Sequence, residues 1–300
     1  MQALLDAIAQ ASPGHDACRI FHGRGGLYPG CEHLSLDWYA PVWVLTSFAP
    51  LADADVQAVQ AALALRPEPL NWVLQIRHAG QGQSETRLMA GSVPEPHVVT
   101  EQGAQYRVHV LKGQNHGLFL DMACGRRWLR EQAPNRRVLN LFAYTCAFSV
   151  AALQGGATEV VNVDMAAGAL AIGQQNHQLN GLSGARFLAH DLFKSWGKVK
   201  RMGPYDIVVA DPPSYQKGSF VAHKDYARVV RRLPELLAPG GQALLCLNAP
   251  ELPEQFLRDL VVTEAPDLHF VQRLENPAVF ADVDPQRALK VMLFELGRAV

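Results

Sequence analysis

The second half of the chain alternates short apolar runs with apolar positions at helical spacing. Residues 138–142 are a short apolar run of strand length, and residues 159–164 predict a second strand that ends in the carboxylate of Asp164. Between them lies a small apolar segment that stops at Gly155-Gly156, which is typical of a helix and its C-terminal cap. Strand, tight turn, helix and strand in this order predict a βαβ unit with parallel strands.

The same alternation continues towards the C-terminus. Further strands are predicted at residues 185–188, 205–211, 243–247, 270–274 and 291–296, and further helices at residues 166–179 and 226–237. Strands that alternate with helices in this way predict an α/β fold with a Rossmann-like, mostly parallel sheet. In such a sheet, ligands bind beyond the carboxyl ends of the strands.

The first third of the chain predicts a smaller α/β unit. Its predicted elements are a helix at residues 4–11, strands at 38–48 and 70–76, a helix at 53–65 capped by Asp53 or Asp55, and a hairpin of residues 97–100 and 105–111. We therefore expect an N-terminal α/β domain over residues 1–105 and a second domain over residues 106–300.

The turn after the first strand of the second domain indicates the cofactor. A dinucleotide-binding turn needs glycines so that backbone amides can approach a pyrophosphate, and residues 142–149 contain none. S-adenosylmethionine has a ribose and an adenine but no phosphate, so it tolerates a bulkier turn. Asp164 ends the next strand, where such folds place a carboxylate on a ribose. The turn therefore favours S-adenosylmethionine over NAD.

A second motif follows the strand predicted at residues 205–211. The sequence there is Asp211-Pro212-Pro213-Ser214-Tyr215, and two adjacent prolines cannot continue a central β-ladder. The strand is therefore expected to end at Asp211, with its carboxylate in the same crevice as Asp164.

Five motifs in this order resemble those of a known family. They are Leu141-Phe142-Ala143-Tyr144-Thr145, Asn162-Val163-Asp164, Asn180-Gly181-Leu182, Asp191-Leu192-Phe193 and the motif from Asp211 to Tyr215. The family is that of the class I S-adenosylmethionine-dependent methyltransferases of large-subunit ribosomal RNA, whose last motif reads Asp-Pro-Pro-Ser-Phe. The resemblance covers residues 106–300, and it includes Gly117-Leu118-Phe119-Leu120-Asp121 and Ala288-Leu289-Lys290.

This resemblance implies a set of site residues, an antiparallel hairpin at the C-terminal sheet edge, and RNA as the substrate. The cofactor-binding residues would be Phe142, Ala143, Tyr144, Thr145, Asp164, Met165, Asp191 and Leu192. Asp191 would accept a hydrogen bond from the adenine amino group, with Leu192 or Phe193 packing on the ring, and a helix N-cap is the alternative role of Asp191. The catalytic residues would be Asp211, Pro212 and Tyr215, with Tyr215 stacked on an extruded base. The N-terminal domain does not resemble the RNA-binding module that several family members carry in the same place. We expect it to select the substrate, because the catalytic domain supplies little besides the cofactor pocket.

Two departures from the family pattern bear on the chemistry. Members that methylate cytosine C5 carry a nucleophilic cysteine just past the strand that corresponds to residues 243–247, where this chain has Asn248-Ala249-Pro250. Cys246 lies inside the predicted strand, where a buried, inert thiol is expected, so methylation of a base nitrogen is favoured. Cys146 replaces a glycine in the cofactor turn, which strains the backbone if φ is positive there.

Three other features each have two interpretations. The glycine-rich loop at residues 21–30 is either an RNA contact, with Arg24 on a phosphate and Tyr28 under a base, or an irregular surface connection. His116 is either a general base near the pocket or a hydrogen-bonded turn residue. A group of arginines forms either a solvated helix face or a patch that tracks a nucleic-acid backbone: Arg126, Arg127, Arg130, Arg136 and Arg137.

The composition of the chain bears on its cellular compartment and on possible metal sites, but it does not identify the substrate. The 300 residues are 49% hydrophobic and 18% charged, with a formal net charge of -1, so any RNA binding has to come from a local patch. No apolar run reaches the roughly 18 residues of a membrane span. The 5 cysteines lack Cys-x-x-Cys spacing, which predicts a reducing cytoplasm and no metal site. A methyltransferase of small molecules or proteins, a catalytically degenerate RNA-binding relative and an NAD-dependent oxidoreductase remain alternatives, and the oligomeric state stays open.

Overall fold

The computed structural model describes residues 1–77, 84–216 and 220–297. The chain forms two compact units: unit 1 consists of Met1–Asp121 and Pro277–Pro285, and unit 2 of Met122–Asn276 and Gln286–Val300. Unit 1 therefore extends past the expected boundary at residue 105 and includes a segment from near the C-terminus. That segment is held by tertiary contacts, such as the hydrogen bond of 2.9 Å from the amide of Val283 to the carbonyl of Gly25.

Unit 1 is built on a five-stranded sheet with the strand order β1-β2-β3-β4-β5. Its elements are α1 (Gln2–Gln10), β1 (Cys18–His22), β2 (Leu34–Tyr39), β3 (Val42–Ser47), α2 (Asp53–Ala64), β4 (Trp72–Arg77), β5 (Ser84–Ala90), β6 (His97–Glu101) and β7 (Ala104–Val108). Strands β3 and β4 are parallel, the other neighbours are antiparallel, and β6 and β7 form the predicted hairpin. The two helices bury Leu4, Ile8, Val59 and Leu63 in the same apolar cluster as the strands.

Two predictions for unit 1 were wrong in detail. The strand predicted at residues 38–48 is the pair β2 and β3, and the chain reverses at Ala40-Pro41, where proline has no amide hydrogen to continue a ladder. Helix α2 has Ala52 as its N-cap and no side-chain cap, so the predicted role of Asp53 or Asp55 does not hold.

Unit 2 contains a seven-stranded sheet with the strand order β10-β9-β8-β11-β14-β16-β15. Its elements are α3 (Ala123–Gln132), β8 (Arg137–Leu141), α4 (Ala147–Gln154), β9 (Glu159–Asp164), α5 (Ala167–Leu179), β10 (Ala185–Ala189), α6 (Leu192–Arg201), β11 (Tyr205–Ala210), β12 (Tyr215–Gln216), β13 (Phe220–Val221), α7 (Ala222–Val230), α8 (Leu233–Leu236), β14 (Leu237–Leu247), α9 (Glu254–Glu264), β15 (Leu268–Leu274) and β16 (Lys290–Leu296). The first five strands of the sheet are parallel, and β16 and β15 are antiparallel. The predicted Rossmann-like sheet with an antiparallel edge is confirmed.

The central strands of unit 2 are covered on both faces, which explains their continuous apolar runs. Successive residues of β11 alternate between two apolar clusters: Val208 belongs to one, and Ile207 and Val209 belong to the other. Each buried side chain of this size contributes roughly 1.5–3 kcal/mol. Among the residues described, no helix has the length and apolar character that a membrane span requires.

The predicted helix at residues 226–237 is interrupted. Helix α7 ends at Val230, α8 starts at Leu233 with Pro234 in its first turn, and β14 begins at Leu237. Proline suits the first turn of a helix but not its interior, so the two helices separate here. Strand β14 thus starts earlier than predicted, and its register against β11 shifts between Tyr205 and Ile207.

Candidate functional site

The carboxyl ends of the parallel strands lie side by side in unit 2. Leu141 at the end of β8 is opposite Val163 in β9 and Ala210 in β11. At the end of β10, Ala189 is opposite Asp164. The strand order reverses between β8 and β11, and open α/β sheets bind their ligands at such a reversal.

The loop between β8 and α4, residues 142–146, makes a tight turn without glycine. Phe142, Tyr144 and Cys146 have positive φ values of 57°, 47° and 61°. The amide of Ala143 donates to the carbonyl of Val163 at 3.1 Å, and the amide of Cys146 donates to the carbonyl of Ala143 at 2.7 Å. Residues in this conformation cost about 1–3 kcal/mol each and persist where the surrounding structure enforces them, often at ligand sites.

A glycine on a neighbouring helix makes room for the Cys146 side chain. The thiol is buried next to Leu170, and a Cβ at position 173 would lie 2.5 Å from its Sγ. Gly173 in α5 therefore permits a cysteine at position 146, a relation that sequence reasoning missed. Burial, with a smaller effect of Asp164, raises the pKa of the Cys146 thiol far above its usual range, so the thiol stays protonated.

The carboxylate of Asp164 holds the loop in place. Its Oδ2 accepts a hydrogen bond of 2.8 Å from the amide of Tyr144, and its Oδ1 accepts one of 2.8 Å from the amide of Ala166. Each carboxylate oxygen has a second lone pair, and Met165 and Ala166 beside it are exposed to solvent. A carboxylate fixed in this way fits the hydroxyl groups of a ribose, which a cofactor with a nucleoside requires.

A chain of buried polar side chains supports the loop from below. Nδ2 of Asn140 donates to Oδ1 of Asn162 at 2.9 Å, and Nδ2 of Asn162 donates to Ser149 Oγ at 3.0 Å. Ser149 Oγ lies 2.8 Å from His177 Nε2, and His177 Nδ1 lies 2.7 Å from the carbonyl of Gly173. Because that carbonyl accepts, Nδ1 carries the proton and Nε2 accepts from Ser149. Burial lowers the pKa of His177, which agrees with a neutral ring.

The predicted cofactor residues differ in exposure. Thr145 is 1% exposed and its carbonyl accepts a hydrogen bond of 3.0 Å from Asn176, whereas Met165 is 52% exposed. Thr145 therefore shapes the loop, and Met165 presents its side chain to solvent.

Asp191 caps helix α6. Its Oδ1 accepts a hydrogen bond of 3.0 Å from the amide of Phe193, and its Oδ2 lies 3.3 Å from Lys194 Nζ. The N-cap role is confirmed, and the role on adenine stays a prediction. Leu192 directly follows and is buried.

The Asp-Pro-Pro-Ser-Tyr segment begins beside the loop. Asp211 directly follows β11, and its amide donates to the carbonyl of Leu141 at 3.5 Å. Tyr215 lies in the β12–β13 hairpin opposite Val221 and is 69% exposed. The amide of Ala222 donates to the carbonyl of Ser214 at 3.0 Å, which fixes the far side of the segment.

Phe220, which sequence analysis did not single out, links two aromatic residues that it did. Phe220 packs edge-on against Phe142 at 5.2 Å between ring centroids and stacks with Phe193 at 6.3 Å. The guanidinium of Arg228 lies 3.7 Å from the centroid of the Phe193 ring. Phe193 is therefore already covered by protein on part of its surface. The signal for this cluster was weak, because isolated aromatic residues in a sequence do not reveal their partners.

Several other predicted features have structural roles or lie in unit 1. The arginine group is not a single solvated face, because Arg126 is buried and the guanidinium of Arg137 donates to Glu159 at 2.8 Å and to the carbonyl of Pro204 at 2.9 Å. His116 belongs to unit 1, where it is buried, and neither ring nitrogen has a hydrogen-bond partner among the described residues. Within the same residues, no group of three or more His, Cys, Asp or Glu side chains is placed to bind a metal.

The sequence pattern of the S-adenosylmethionine-dependent methyltransferases matches residues 18–295. The chain belongs to this family. The family and the cofactor that the sequence predicted, S-adenosylmethionine-dependent methyltransferases and S-adenosylmethionine, are therefore confirmed. The alternative of an NAD-dependent oxidoreductase is excluded. The loop without glycine, the amide-held Asp164 and the strand ends around them fit that cofactor.

Relatives within the family include enzymes of ribosomal RNA. The chain is 33% identical to ribosomal RNA large subunit methyltransferase I of Aeromonas salmonicida over 79% of its length, and 34% identical to that of Aeromonas hydrophila over 79% of its length. The matched part spans 62% of the length of each relative.

Solved structures with the same fold cover nearly all of the chain. A candidate S-adenosylmethionine-dependent methyltransferase from Streptococcus mutans superimposes with a TM-score of 0.86 at 25% identity, over 98% of this chain and 81% of that one. A candidate methyltransferase in complex with S-adenosylhomocysteine gives a TM-score of 0.84 at 25% identity, over 98% of this chain and 79% of that one.

Proposed function

We propose that this protein transfers the methyl group of S-adenosylmethionine to a base of ribosomal RNA. The observation that carries the proposal is the meeting of the loop at residues 142–146, Asp164 and Asp211 at one edge of the parallel sheet. The names of the relatives from Aeromonas support RNA as the substrate.

In this proposal, the carboxylates of Asp164 and Asp191 bind the cofactor. Each oxygen of Asp164 accepts one hydrogen bond from a backbone amide, of Tyr144 or Ala166, and uses its second lone pair to accept a hydrogen bond from a ribose hydroxyl. Asp191 accepts a hydrogen bond from the adenine amino group, while the buried Leu192 packs against the ring. The bound cofactor supplies an electrophilic methyl group, and the protein contributes the alignment of that group with the acceptor.

The acceptor base is held by the segment that starts at Asp211. The carboxylate of Asp211 and the carbonyl of Pro212 accept hydrogen bonds from the base edge, and Tyr215 stacks on the base after it leaves its helix. The high exposure of Tyr215, 69%, supports this role. Stacking of this kind is worth about 1–3 kcal/mol per base.

The preferred acceptor is a nitrogen rather than cytosine C5. Attack on C5 requires a cysteine thiolate that reaches the base, but Cys246 is fully buried in β14, opposite Val291. The exposed residue after that strand is Asn248, which cannot act as such a nucleophile. We expect Cys246→Ala to keep methyl transfer within about twofold and to lower stability by about 1 kcal/mol. Loss of transfer with intact binding of S-adenosylhomocysteine would contradict the nitrogen assignment.

The direct test uses ribosomal RNA as substrate. Purified protein and labelled S-adenosylmethionine are incubated with ribosomal RNA from a strain that lacks this enzyme, and the modified base is mapped by mass spectrometry. RNA from the same strain carrying the gene is the matched control, because its target is already methylated. Label in the first RNA but not in the second is the expected result. Binding of S-adenosylhomocysteine without label in either RNA would indicate another substrate, and no binding would indicate a degenerate relative.

A further inference from the structure

Unit 1 carries two arginines and an aromatic ring at one end of its five-stranded sheet. Strands β1, β3 and β4 all end at this end of the sheet, where β2 lies between β1 and β3. Arg24 lies in the turn after β1, Phe48 follows β3, and Arg77 is the last residue of β4. We refer to Arg24, Phe48 and Arg77 as the Phe48 cluster.

Both guanidinium groups of the cluster lie over the same ring. Cζ of Arg24 is 4.0 Å from the centroid of Phe48, and Cζ of Arg77 is 5.4 Å from it. Arg77 is fixed further, because its Nε donates to Gln75 Oε1 at 2.6 Å and another of its nitrogens donates to the carbonyl of Gln114. Arg24 makes no hydrogen bond or ion pair with any residue in the described ranges, so its donors are available to a ligand.

The cluster has more positive charge than its surroundings neutralise. The nearby Asp37 forms an ion pair with Arg19, whereas no carboxylate pairs with Arg24 or Arg77 within residues 1–77, 84–216 and 220–297. Partial burial and Arg19 lower the pKa of Arg24, and partial burial and Arg24 lower the pKa of Arg77. Burial and the neighbouring positive charge both disfavour the charged forms of Arg24 and Arg77. An anion bound between the two guanidinium groups would therefore stabilise their charged forms.

The position of Arg24 is set by the packing of its turn. Gly23 packs against the carbonyl of Cys31, and Gly25 packs against the carbonyl of Ala281, each so closely that a Cβ would collide with it. The turn is therefore anchored on two sides, and Arg24 is presented from a constrained backbone. A preorganised guanidinium loses less entropy when it binds a ligand.

We propose that the Phe48 cluster binds a phosphate group of the RNA substrate. A guanidinium fork matches two phosphate oxygens and forms charge-assisted hydrogen bonds with them. Tyr28, in the same loop as Arg24, packs on Phe21 and is 39% exposed, so it offers a ring surface to a neighbouring base. A phosphate site beside such a ring favours an RNA strand over a small phosphate ligand. The choice of RNA rests on the proposed function.

The test measures binding of the full-length protein to an in vitro transcript of large-subunit ribosomal RNA between about 50 and 200 mM KCl. We expect Arg24→Gln and Arg77→Gln each to weaken binding about tenfold and to lower the salt slope by about 1. Arg24→Lys keeps the charge and should keep the slope. Arg87→Gln is the matched control, because Arg87 is an exposed arginine of unit 1 that is already paired with Glu85.

The salt slopes of the variants decide whether the Phe48 cluster binds the RNA backbone. Equal salt slopes for the wild type, Arg24→Gln, Arg77→Gln and Arg87→Gln would overturn it. Arg24 is exposed and makes no hydrogen bond or ion pair with any described residue, so Arg24→Gln loses only the contact with the Phe48 ring. The thermal midpoint should therefore fall by a few degrees at most, and a folding defect does not mask the result. Displacement of RNA by micromolar pyrophosphate would assign the cluster to a free phosphate ligand and overturn the RNA assignment. Absence of methyl transfer by the wild type, with these slope differences present, would contradict only the proposed function.

Discussion

The Cys146 side chain and the missing side chain of Gly173 are two halves of one packing arrangement. Cys146 has a φ of 61°, and position 173 has no space for a Cβ because the thiol occupies it. A cysteine with positive φ in the loop at residues 142–146 carries backbone strain, and a glycine in α5 lowers the helix propensity there. The two residues together replace the simpler solution of a glycine in the loop.

This pairing predicts a strong energetic coupling between the two positions. Gly173→Ala alone should destabilise the protein by about 1–3 kcal/mol, because the new methyl group collides with the thiol. In the Cys146→Gly background the same change should be neutral or stabilising, since alanine favours a helix by about 1 kcal/mol over glycine. Urea unfolding of the four proteins measures the coupling. Additive effects would mean that the loop and α5 adjust independently.

The two hydrogen bonds that the carboxylate of Asp164 accepts predict how a substitution at this residue changes cofactor binding. An asparagine at this position keeps the shape but has only one acceptor atom for the amides of Tyr144 and Ala166. We expect Asp164→Asn to weaken binding of S-adenosylhomocysteine at least tenfold, roughly the value of one charge-assisted hydrogen bond, as measured by calorimetry. Asp259→Asn on the exposed surface of α9 is the control and should bind normally. Unchanged affinity of Asp164→Asn would remove Asp164 from the cofactor site.

At the scale of elements, a polar chain ties two strands to two helices beneath the loop. Asn140 in β8 and Asn162 in β9 are direct neighbours in the register, and the chain continues through Ser149 in α4 to His177 in α5. All four side chains are buried, so each needs the others as hydrogen-bond partners. These hydrogen bonds therefore fix α4 and α5 relative to β8 and β9, next to the loop at residues 142–146.

Removing both members of a hydrogen-bonded pair in this chain should cost less than the sum of the two single removals. Asn162→Val leaves the side-chain amide of Asn140 without its acceptor and removes the donor to Ser149 Oγ, which keeps its hydrogen bond with His177. We therefore expect a loss of about 2–4 kcal/mol in the free energy of unfolding. The double variant Asn140→Val, Asn162→Val also removes the orphaned amide of Asn140 and should lose less than the sum of the single changes. Chemical denaturation measures both. A double loss equal to or above the sum would contradict the chain as a connected unit.

At the scale of the whole molecule, buried histidines make stability depend on pH. Burial lowers the pKa of His22 and His116 to about 4, and it lowers the pKa of His97, His109 and His177. The folded state therefore favours the neutral rings, whereas the unfolded chain takes up protons near pH 6.5. This stabilisation is complete above about pH 6.5 and is lost as the pH falls from 6.5 towards 4.

His116 allows a specific test of this dependence. His116→Phe keeps an aromatic ring beside Tyr39, whose centroid lies 5.6 Å away, and removes the titrating nitrogens. Between about pH 6 and pH 4.5, its unfolding free energy should fall less steeply than that of the wild type, by about 1.4 kcal/mol per pH unit. The measurement is urea unfolding at several pH values. Parallel curves for the two proteins would show that His116 does not titrate on unfolding.

Local sequence patterns by themselves predicted most helices and strands of unit 2 and the ends of its parallel strands. Short motifs at those strand ends predicted the family. Apolar periodicity reports burial directly, and Pro-Pro or Gly-Gly stops an element wherever it lies, so β8, α4, β9 and β11 follow from their own residues. The prediction of a single strand at residues 38–48 was wrong, because one long strand and a hairpin of two short strands have the same apolar content.

Only the tertiary structure decided the contacts between distant residues. It placed Gly173 against Cys146, Arg24 and Arg77 over Phe48, and Pro277–Pro285 in unit 1. A one-dimensional pattern records which side chains avoid water but not which of them meet, because many pairings bury the same area. Steric fit and the matching of donors with acceptors select one pairing, and these exist only once the chain has folded.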